Sequence, residues 1–177
     1  LALWLGGYEW SRLSHHSSWR EWGVLAGRLV LALGLSMAIG HEREAHDKPA
    51  GMRTVTMVGV GSCLFALLAG GWFAPGSDAM SRVIQGVITG IGFLGAGTII
   101  KQKFQVEGLT TAATIWAAAG VGMAVGVGEY ALALIGTGAV LAVLVVLGHI
   151  EDHFRRRYQL SRKRHDATLE TDDDVDD

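Results

Sequence analysis

The stretch RVIQGVITGIGFLGAGTII, residues 82–100, carries one charged side chain, Arg82, in nineteen positions. A helix of that length rises by about 28 Å, close to the thickness of the hydrocarbon core of a bilayer. The polar side chains of this segment are too few to form the polar outer face that a soluble helix needs. The stretch therefore predicts a transmembrane helix.

The same pattern recurs on both sides of this segment. Half of the 177 residues are hydrophobic and 18% are charged, against roughly 25% in soluble domains. Between Thr54 and Gly148 the charged residues are Asp78, Arg82, Lys101, Lys103, Glu107 and Glu129. The apolar runs between the charges predict spans at 22–40, 54–73, 82–100, 110–127 and 130–148. We therefore expect an all-α polytopic membrane protein with five transmembrane helices in a glycine-rich bundle. A soluble protein with unusually apolar buried helices is the alternative.

Basic residues give the expected orientation, because short cytoplasmic loops retain more Lys and Arg than exported loops do. Eleven of the fifteen fall in the first loop, the third loop and the tail: Arg43, Lys48, Arg53, Lys101, Lys103, Arg155, Arg156, Arg157, Arg162, Lys163 and Arg164. Arg12, Arg20 and Arg82 fall on the other side. With five crossings, we expect the amino end outside and the carboxyl end in the cytoplasm.

Two terminal segments flank the predicted membrane domain of residues 22–148. Residues 1–21 are expected to form an extracytoplasmic or interfacial segment, and they lack the pattern of a cleavable signal peptide. Residues 149–177 are expected to form a charged cytoplasmic tail. Its acidic end, LETDDDVDD at 169–177, has too few apolar groups to fold and is predicted to be disordered.

Glycine spacing indicates how the helices pack, because small residues at intervals of four let helix backbones approach closely in lipid. The third span offers Gly86, Gly90, Gly92, Gly95 and Gly97. The fourth offers Gly122 and Gly126. These two spans are expected to be tight central helices, with the first and fifth more exposed to lipid. In the alternative, the glycines break the third span into half-helices around an ion site.

Arg28 is the charged residue inside the first predicted span. One interpretation is that its side chain extends back to the outer interface, with no functional consequence. The other is that it faces the bundle and pairs with Asp78 or Glu129 near the outer surface. The sequence favours neither.

The most charged stretch is IGHEREAHDKPAGMRT, residues 39–54, in the first predicted loop. It balances three acids against three bases: Glu42, Glu44 and Asp47 against Arg43, Lys48 and Arg53. Orientation alone needs only the bases, so the acids require another explanation. They either pair with the bases and fix the loop, or offer carboxylate oxygens to a hard cation such as Mg²⁺. His41 and His46 are five apart and lack the spacing of a zinc-protease helix.

Three motifs give the chain a resemblance to a known family. IGHEREAHDKPAGMRT, GVITGIGFLGAGTII and VEGLTTAATIWAAAGVGMAVG, in this order, resemble the MgtC/SapB family of bacterial inner-membrane proteins over residues 22–148. The resemblance implies a small multi-pass protein linked to growth in low magnesium and, in pathogens, to survival inside host cells. It also implies a regulator of membrane energetics, including restraint of the ATP synthase, more than a magnesium carrier.

The family pattern falls on three groups of residues. It falls on Glu42, Arg43, Glu44, Gly51 and Arg53 in the first loop, on Arg82, Gln85, Gly90, Gly92, Gly95 and Gly97 around the third span, and on Gly108, Thr110 and Thr111 before the fourth. His41 departs from the apolar residue usual before the acidic pair. The chain also resembles a short form, because longer members carry a folded cytoplasmic domain after the last span.

Three functional hypotheses can be compared on these observations, and two of them are supported. The first is a non-enzymatic membrane regulator with a cytoplasmic face that contacts a partner, either the ATP synthase or another inner-membrane protein. This face is expected to be built by Glu42, Arg43, Glu44 and Arg53 together with residues 101–109. The second is a magnesium or other cation transporter or channel, for which Glu42, Glu44 and Asp47 are the candidate ligands. An intramembrane enzyme is disfavoured, because the predicted spans offer no nucleophile beside a base at helical spacing, no pair of zinc ligands and no phosphate-binding loop. No cofactor or nucleic-acid partner is expected, and self-association is left open.

Overall fold

A computed structural model describes residues 19–72, 78–102 and 105–149. The helices are α1 (Trp19–Ala45), α2 (Met52–Trp72), α3 (Asp78–Ala96), α4 (Leu109–Val127) and α5 (Tyr130–Ala142), which continues as a π-helical turn (Val143–Leu147). Each is long and apolar enough to cross a membrane, the last with its π-helical turn included. The predicted all-α polytopic class is confirmed. The expectations for residues 1–18 and 150–177 lie outside the described residues.

The helix boundaries differ from the predicted spans by four residues or more in two helices. First, α1 continues to Ala45, so the residues HEREA that were expected in a loop are helical. Glu, Arg and Ala favour helices, and Arg43 in the last turn suits the negative end of the helix dipole. Second, α3 begins at Asp78 and ends at Ala96, four residues earlier than expected at each end.

A short hairpin follows α3 where a loop was expected. Strands β1 (Ile100–Gln102) and β2 (Gln105–Glu107) pair antiparallel, with Ile100 opposite Glu107. Gly108 then enters α4 with a φ of 90°, and a side chain there would overlap the carbonyl oxygen of Thr98. Glycine is therefore required at this position, which joins the hairpin closely to the start of α4.

The core of the bundle lies where α4 packs against α2. A Cβ built on Gly122 would overlap the carbonyl oxygen of Gly59, and one on Gly126 would lie 2.7 Å from that of Cys63. Gly59 in turn faces the Ser36 hydroxyl of α1. The fourth span is therefore a tight central helix, as its glycine spacing predicted.

The third span was also expected to be a tight central helix, and this expectation is wrong. Within the described chain, a Cβ built on Gly86, Gly90 or Gly92 would meet no atom within 4 Å. Gly95 is the one buried residue of α3, and a Cβ built there would lie an ordinary 3.5 Å from the Cβ of Ala112 in α4, while one built on Gly97 would meet only the end of its own helix. This helix is thus peripheral, whereas α1, expected to be more exposed to lipid, contributes buried side chains to the core.

The chain divides into two compact units, the first ending at Thr137 and the second beginning at Gly138. The first unit holds the core side chains Ile39, Val55, Ile115 and Val125. The described residues of the second unit, 138–149, are helical, and none of their side chains is buried. All the sites that follow belong to the first unit.

Candidate functional site

One end of the bundle, which we call the loop end, brings together most of the residues singled out in the sequence. It comprises the last turn of α1, residues 46–51, the first turn of α2, the hairpin and the first turn of α4. Gly40 of α1 approaches Met52 so closely that an added Cβ would lie 2.7 Å from its Cα. Small residues at this junction therefore allow α1 and α2 to converge.

A tight turn with a carboxylate cap joins α1 to α2. The amides of Asp47 and Lys48 donate to the carbonyl oxygens of Glu44 and Arg43, each at 3.1 Å. Asp47 adopts a φ of 52°, which aspartate tolerates better than most residues. Glu44 Oε2 then accepts a 2.8 Å hydrogen bond from the amide of Met52, the first residue of α2. A carboxylate at a helix amino end stabilises the helix through this bond and its dipole.

Arg43 ties α1 to α4 across the loop end. Its side chain is 3% exposed, and its Nη2 donates a 2.5 Å hydrogen bond to Oγ1 of Thr111, which is 2% exposed. Its Nε is also buried and has no acceptor among the described residues. A guanidinium held this way is a structural bridge between two helices, and its removal would leave polar atoms buried without partners.

Glu42 lies one residue away but faces another neighbour. Its Oε1 is 3.3 Å from Nδ1 of His46, and the same nitrogen is 2.9 Å from the backbone oxygen of Glu42. The second carboxylate oxygen, Oε2, is buried without a partner in the described chain. Glu42 and His46 thus form an (i, i+4) pair on the last turn of α1, which is ionic only when His46 is protonated.

The three candidate metal ligands do not converge. Glu44 is engaged with the start of α2, Glu42 with His46, and Asp47 occupies the turn between the helices. In the part of the chain that the structure describes, no group of three or more His, Cys, Asp or Glu side chains could hold a metal ion. Among the described residues, Glu44 caps α2 and Glu42 pairs with His46, so neither acid forms the pair with Arg43, Lys48 or Arg53 that the first explanation requires.

Two further sequence-predicted residues, Arg53 and Thr110, are exposed at the loop end. Arg53 lies in the first turn of α2, and its side chain has no hydrogen bond or ion pair with another described residue. Gly108 precedes α4, and among the described residues no side chain caps the amino end of this helix. The hydroxyl of Thr111 instead receives Arg43.

Arg82 and Gln85 do not join this cluster. Both lie in the first half of α3 and are exposed, whereas α3 meets α4 at the loop end through its last turn, at Gly95. The family pattern therefore marks two separate regions of the molecule, the loop end and the outer face of α3.

A second polar contact, at the opposite end of α4, was missed by the sequence analysis. Arg28 donates from Nε to the hydroxyl of Tyr130 and from Nη1 to the carbonyl oxygen of Gly126, each at 2.9 Å. Arg28 therefore faces the bundle, as one of the two interpretations had it, but its partners are not Asp78 or Glu129; it satisfies a carbonyl at the carboxyl end of α4. The sequence did contain a signal for this contact: Gly128 ends α4, and Tyr130, two residues later, offers a hydroxyl acceptor beside that helix end.

An apolar cleft of about 560 Å³ separates α2 from α3. It is lined by Met57, Val58, Gly61, Ser62, Phe65, Val83, Gly86, Val87, Gly90, Ile91 and Leu94. The open surroundings of Gly86 and Gly90 follow from this cleft, because the two helices diverge here. Its lining offers no carboxylate that could bind a cation.

Comparisons with known proteins agree with the resemblance in the motifs. The model of the MgtC family matches residues 29–153. SrpB of Synechococcus elongatus is 42% identical over 136 residues, which are 70% of this chain and 75% of SrpB. The Escherichia coli K12 protein named "Putative magnesium transporter YhiD" is 43% identical over 126 residues, 67% of this chain and 58% of YhiD. MgtC of Brucella abortus is 39% identical over 138 residues, 78% of this chain and 53% of MgtC.

The chain spans three quarters of SrpB but little more than half of YhiD and of the Brucella protein. No solved structure matches the chain. The matched region includes α1 from Leu29, both predicted functional regions and all the later helices.

Proposed function

The chain belongs to the MgtC family, and we propose that it helps a bacterial cell adapt to low magnesium as a regulator of membrane energetics that performs no catalysis. In this proposal the loop end lies on the cytoplasmic side of the inner membrane. It is the surface that binds a partner, another inner-membrane protein such as the ATP synthase.

The observation that carries the proposal is that the charged side chains at the loop end have different roles. Glu44 caps α2 and Arg43 bridges to Thr111, so these two groups are used within the fold. Arg53 is exposed beside them and is unpaired among the described residues. A fixed backbone that presents a free guanidinium can bind a carboxylate on a partner protein in a defined geometry.

Arg53→Ala tests this role. We expect the variant to accumulate in the membrane at the normal level and to lose support of growth in low magnesium, since Arg53 makes no contact that the fold needs. Glu129→Ala, which removes an exposed charge at the opposite end of α4, is the control and should retain function. Failure of Arg53→Ala to accumulate, or normal growth of that variant, would contradict the proposal.

Capture of the partner is the direct test of a docking surface. A photo-crosslinking amino acid at Lys48, exposed in the turn, should capture an inner-membrane protein in native membranes. The same probe at Glu129, exposed at the opposite end, should not capture it. Adding Arg53→Ala should reduce capture from position 48. Equal capture from both positions would argue against a surface confined to the loop end.

Magnesium transport is the second candidate function, and the name of the relative YhiD favours it. Against it, the acids described between Thr54 and Gly148, which are Asp78, Glu107 and Glu129, lie at or beyond helix ends, so a path through the spans lacks the acidic ligands typical of cation channels. Purified protein in liposomes should therefore give no magnesium uptake above protein-free liposomes. Uptake that depends on the protein and disappears in Glu42→Gln would reverse the order of the two hypotheses.

A further inference from the structure

The polar residues of α3 lie on one face of the helix. Asp78, Arg82, Gln85 and Thr89 follow one another at intervals of four, three and four, the spacing of a single helical face. We call these four residues the α3 polar stripe. All four are exposed, and Gly92 and Phe93 extend the same face toward the carboxyl end of α3. The cleft toward α2 lies on the other side, so the stripe points away from the rest of the described bundle.

The side chains of the α3 polar stripe lack hydrogen-bond and ion-pair partners elsewhere in the described chain. The side chains of Asp78, Arg82 and Gln85 have no hydrogen bond or ion pair with another described residue. The Thr89 hydroxyl donates only to the carbonyl oxygen of Gln85 in its own helix, at 2.9 Å. Water is absent from the bilayer core, so a side-chain amide that faces hydrocarbon there has no partner unless another protein surface covers it.

We propose that the α3 polar stripe is the contact surface of a homodimer, with a second copy of this chain as its occupant. A two-fold axis along the bilayer normal would place two α3 helices side by side and parallel. Each Gln85 amide, which carries both donors and an acceptor, then pairs with the other Gln85. Asp78 of each copy lies one turn from Arg82 of the other, within reach of the arginine side chain.

The stripe fits a second copy better than an unrelated protein, because two copies of it complement each other in charge and in hydrogen bonding. It contains one acid, one base and one amide, so two identical stripes in parallel supply a counter-charge for each ion and a partner for each amide. Gly92 has no atom of the described chain within 4 Å of a Cβ built there, so it permits close approach of a second backbone on this face. Dimerisation through α3 also leaves the loop-end residues Arg53 and Lys48 free, so it does not depend on the proposed docking function.

Disulfide crosslinking in native membranes tests the surface. Thr89→Cys, in a chain whose own cysteine is removed by Cys63→Ala, should give an oxidised species of twice the chain mass, because a disulfide requires Cα atoms within about 7 Å. Ile135→Cys is the matched control: Ile135 is 70% exposed on α5, and this variant should stay monomeric. Equal crosslinking of the two variants, no crosslinking of either, or capture of a protein of another mass by Thr89→Cys would overturn the proposal.

Charge exchange tests the assigned pairs, with the yield of the Thr89→Cys crosslink as the readout. Asp78→Arg gives an all-positive stripe and Arg82→Asp an all-negative one, so each should sharply lower the Thr89→Cys dimer. The double variant carries both exchanges and should restore it. Gln85→Leu should raise the dimer dissociation constant about tenfold, the expected effect of losing two interhelical hydrogen bonds. Recovery of each variant as a folded monomer in detergent separates loss of pairing from loss of folding. Failure of the double variant to restore dimer would contradict the assigned pairs.

Discussion

Arg28 and Arg43 set the register between α1 and α4. They are fifteen residues apart on α1, and their acceptors Gly126 and Thr111 are fifteen apart on α4. Each separation corresponds to about 22 Å along a helix, so two antiparallel helices can form both contacts without bending. A slide of one turn would break both contacts and leave buried polar atoms unpaired, which is costly in lipid.

Thr111→Val isolates one of these contacts at the residue scale. Valine keeps the shape of threonine but removes the oxygen that accepts from Arg43, so the guanidinium stays buried with one acceptor fewer. We expect the free energy of unfolding to fall by about 2 kcal/mol, the range for a hydrogen bond to a charged group. Unfolding by SDS from mixed micelles measures it.

Thr110→Val is the matched control, because Thr110 is adjacent and exposed and should change stability by no more than about 0.5 kcal/mol. Thr111→Ser should recover most of the lost stability. Equal effects of the two valine variants would show that the Arg43 contact contributes little.

At the scale of elements, Gly122→Ala tests the contact of α4 with α2. The added methyl group would overlap the carbonyl oxygen of Gly59, which cannot rotate away as a side chain would. The helices must separate, at a cost of about 1–3 kcal/mol. Gly120→Ala is the control, since no atom of the described chain lies within 4 Å of its new methyl group. Higher thermal stability of Gly120→Ala than of Gly122→Ala in detergent is the expected result, and the reverse order would contradict the packing.

The sequence predicts the spans well because length and charge exclusion identify a transmembrane helix without knowledge of its neighbours. The sequence does not predict helix packing, because packing depends on which surface lies opposite. Gly86 and Gly90 have the same spacing as Gly122 and Gly126, yet only the second pair meets a facing backbone, that of α2. Spacing identifies a surface that allows close approach, but the partner surface determines whether the approach occurs within the chain.

The candidate site shows the same limit. The charges of residues 41–45 predicted a loop, because the average polarity of the stretch outweighed its helix propensity. The fold instead carries α1 to Ala45 and buries Arg43 against Thr111, a residue 68 positions later. A contact at that separation leaves no periodic signal in the sequence. The sequence likewise did not predict that Glu44 caps α2, because this contact depends on the turn that brings Glu44 to the amide of Met52.

At the scale of the whole molecule, the distribution of charged residues predicts which end of the bundle faces the cytoplasm. The loop end carries the exposed bases Lys48, Arg53 and Lys101, while the described residues at the α4–α5 junction present Glu129. Retention of positive charge on the cytoplasmic side favours the loop end inside. The docking proposal requires this orientation, because a cytoplasmic partner cannot reach an outer surface.

Cysteine labelling in cells decides the orientation. In the Cys63→Ala chain, Lys48→Cys marks the loop end and Glu129→Cys marks the opposite end, and both positions are exposed. A maleimide that cannot cross membranes should label Glu129→Cys in intact cells, and should label Lys48→Cys only after the cells are permeabilised, because five crossings separate the aqueous surfaces. The reverse pattern would place the loop end outside and remove the basis for a cytoplasmic partner at Arg53. Labelling of both positions in intact cells would contradict the placement of the helices across the membrane.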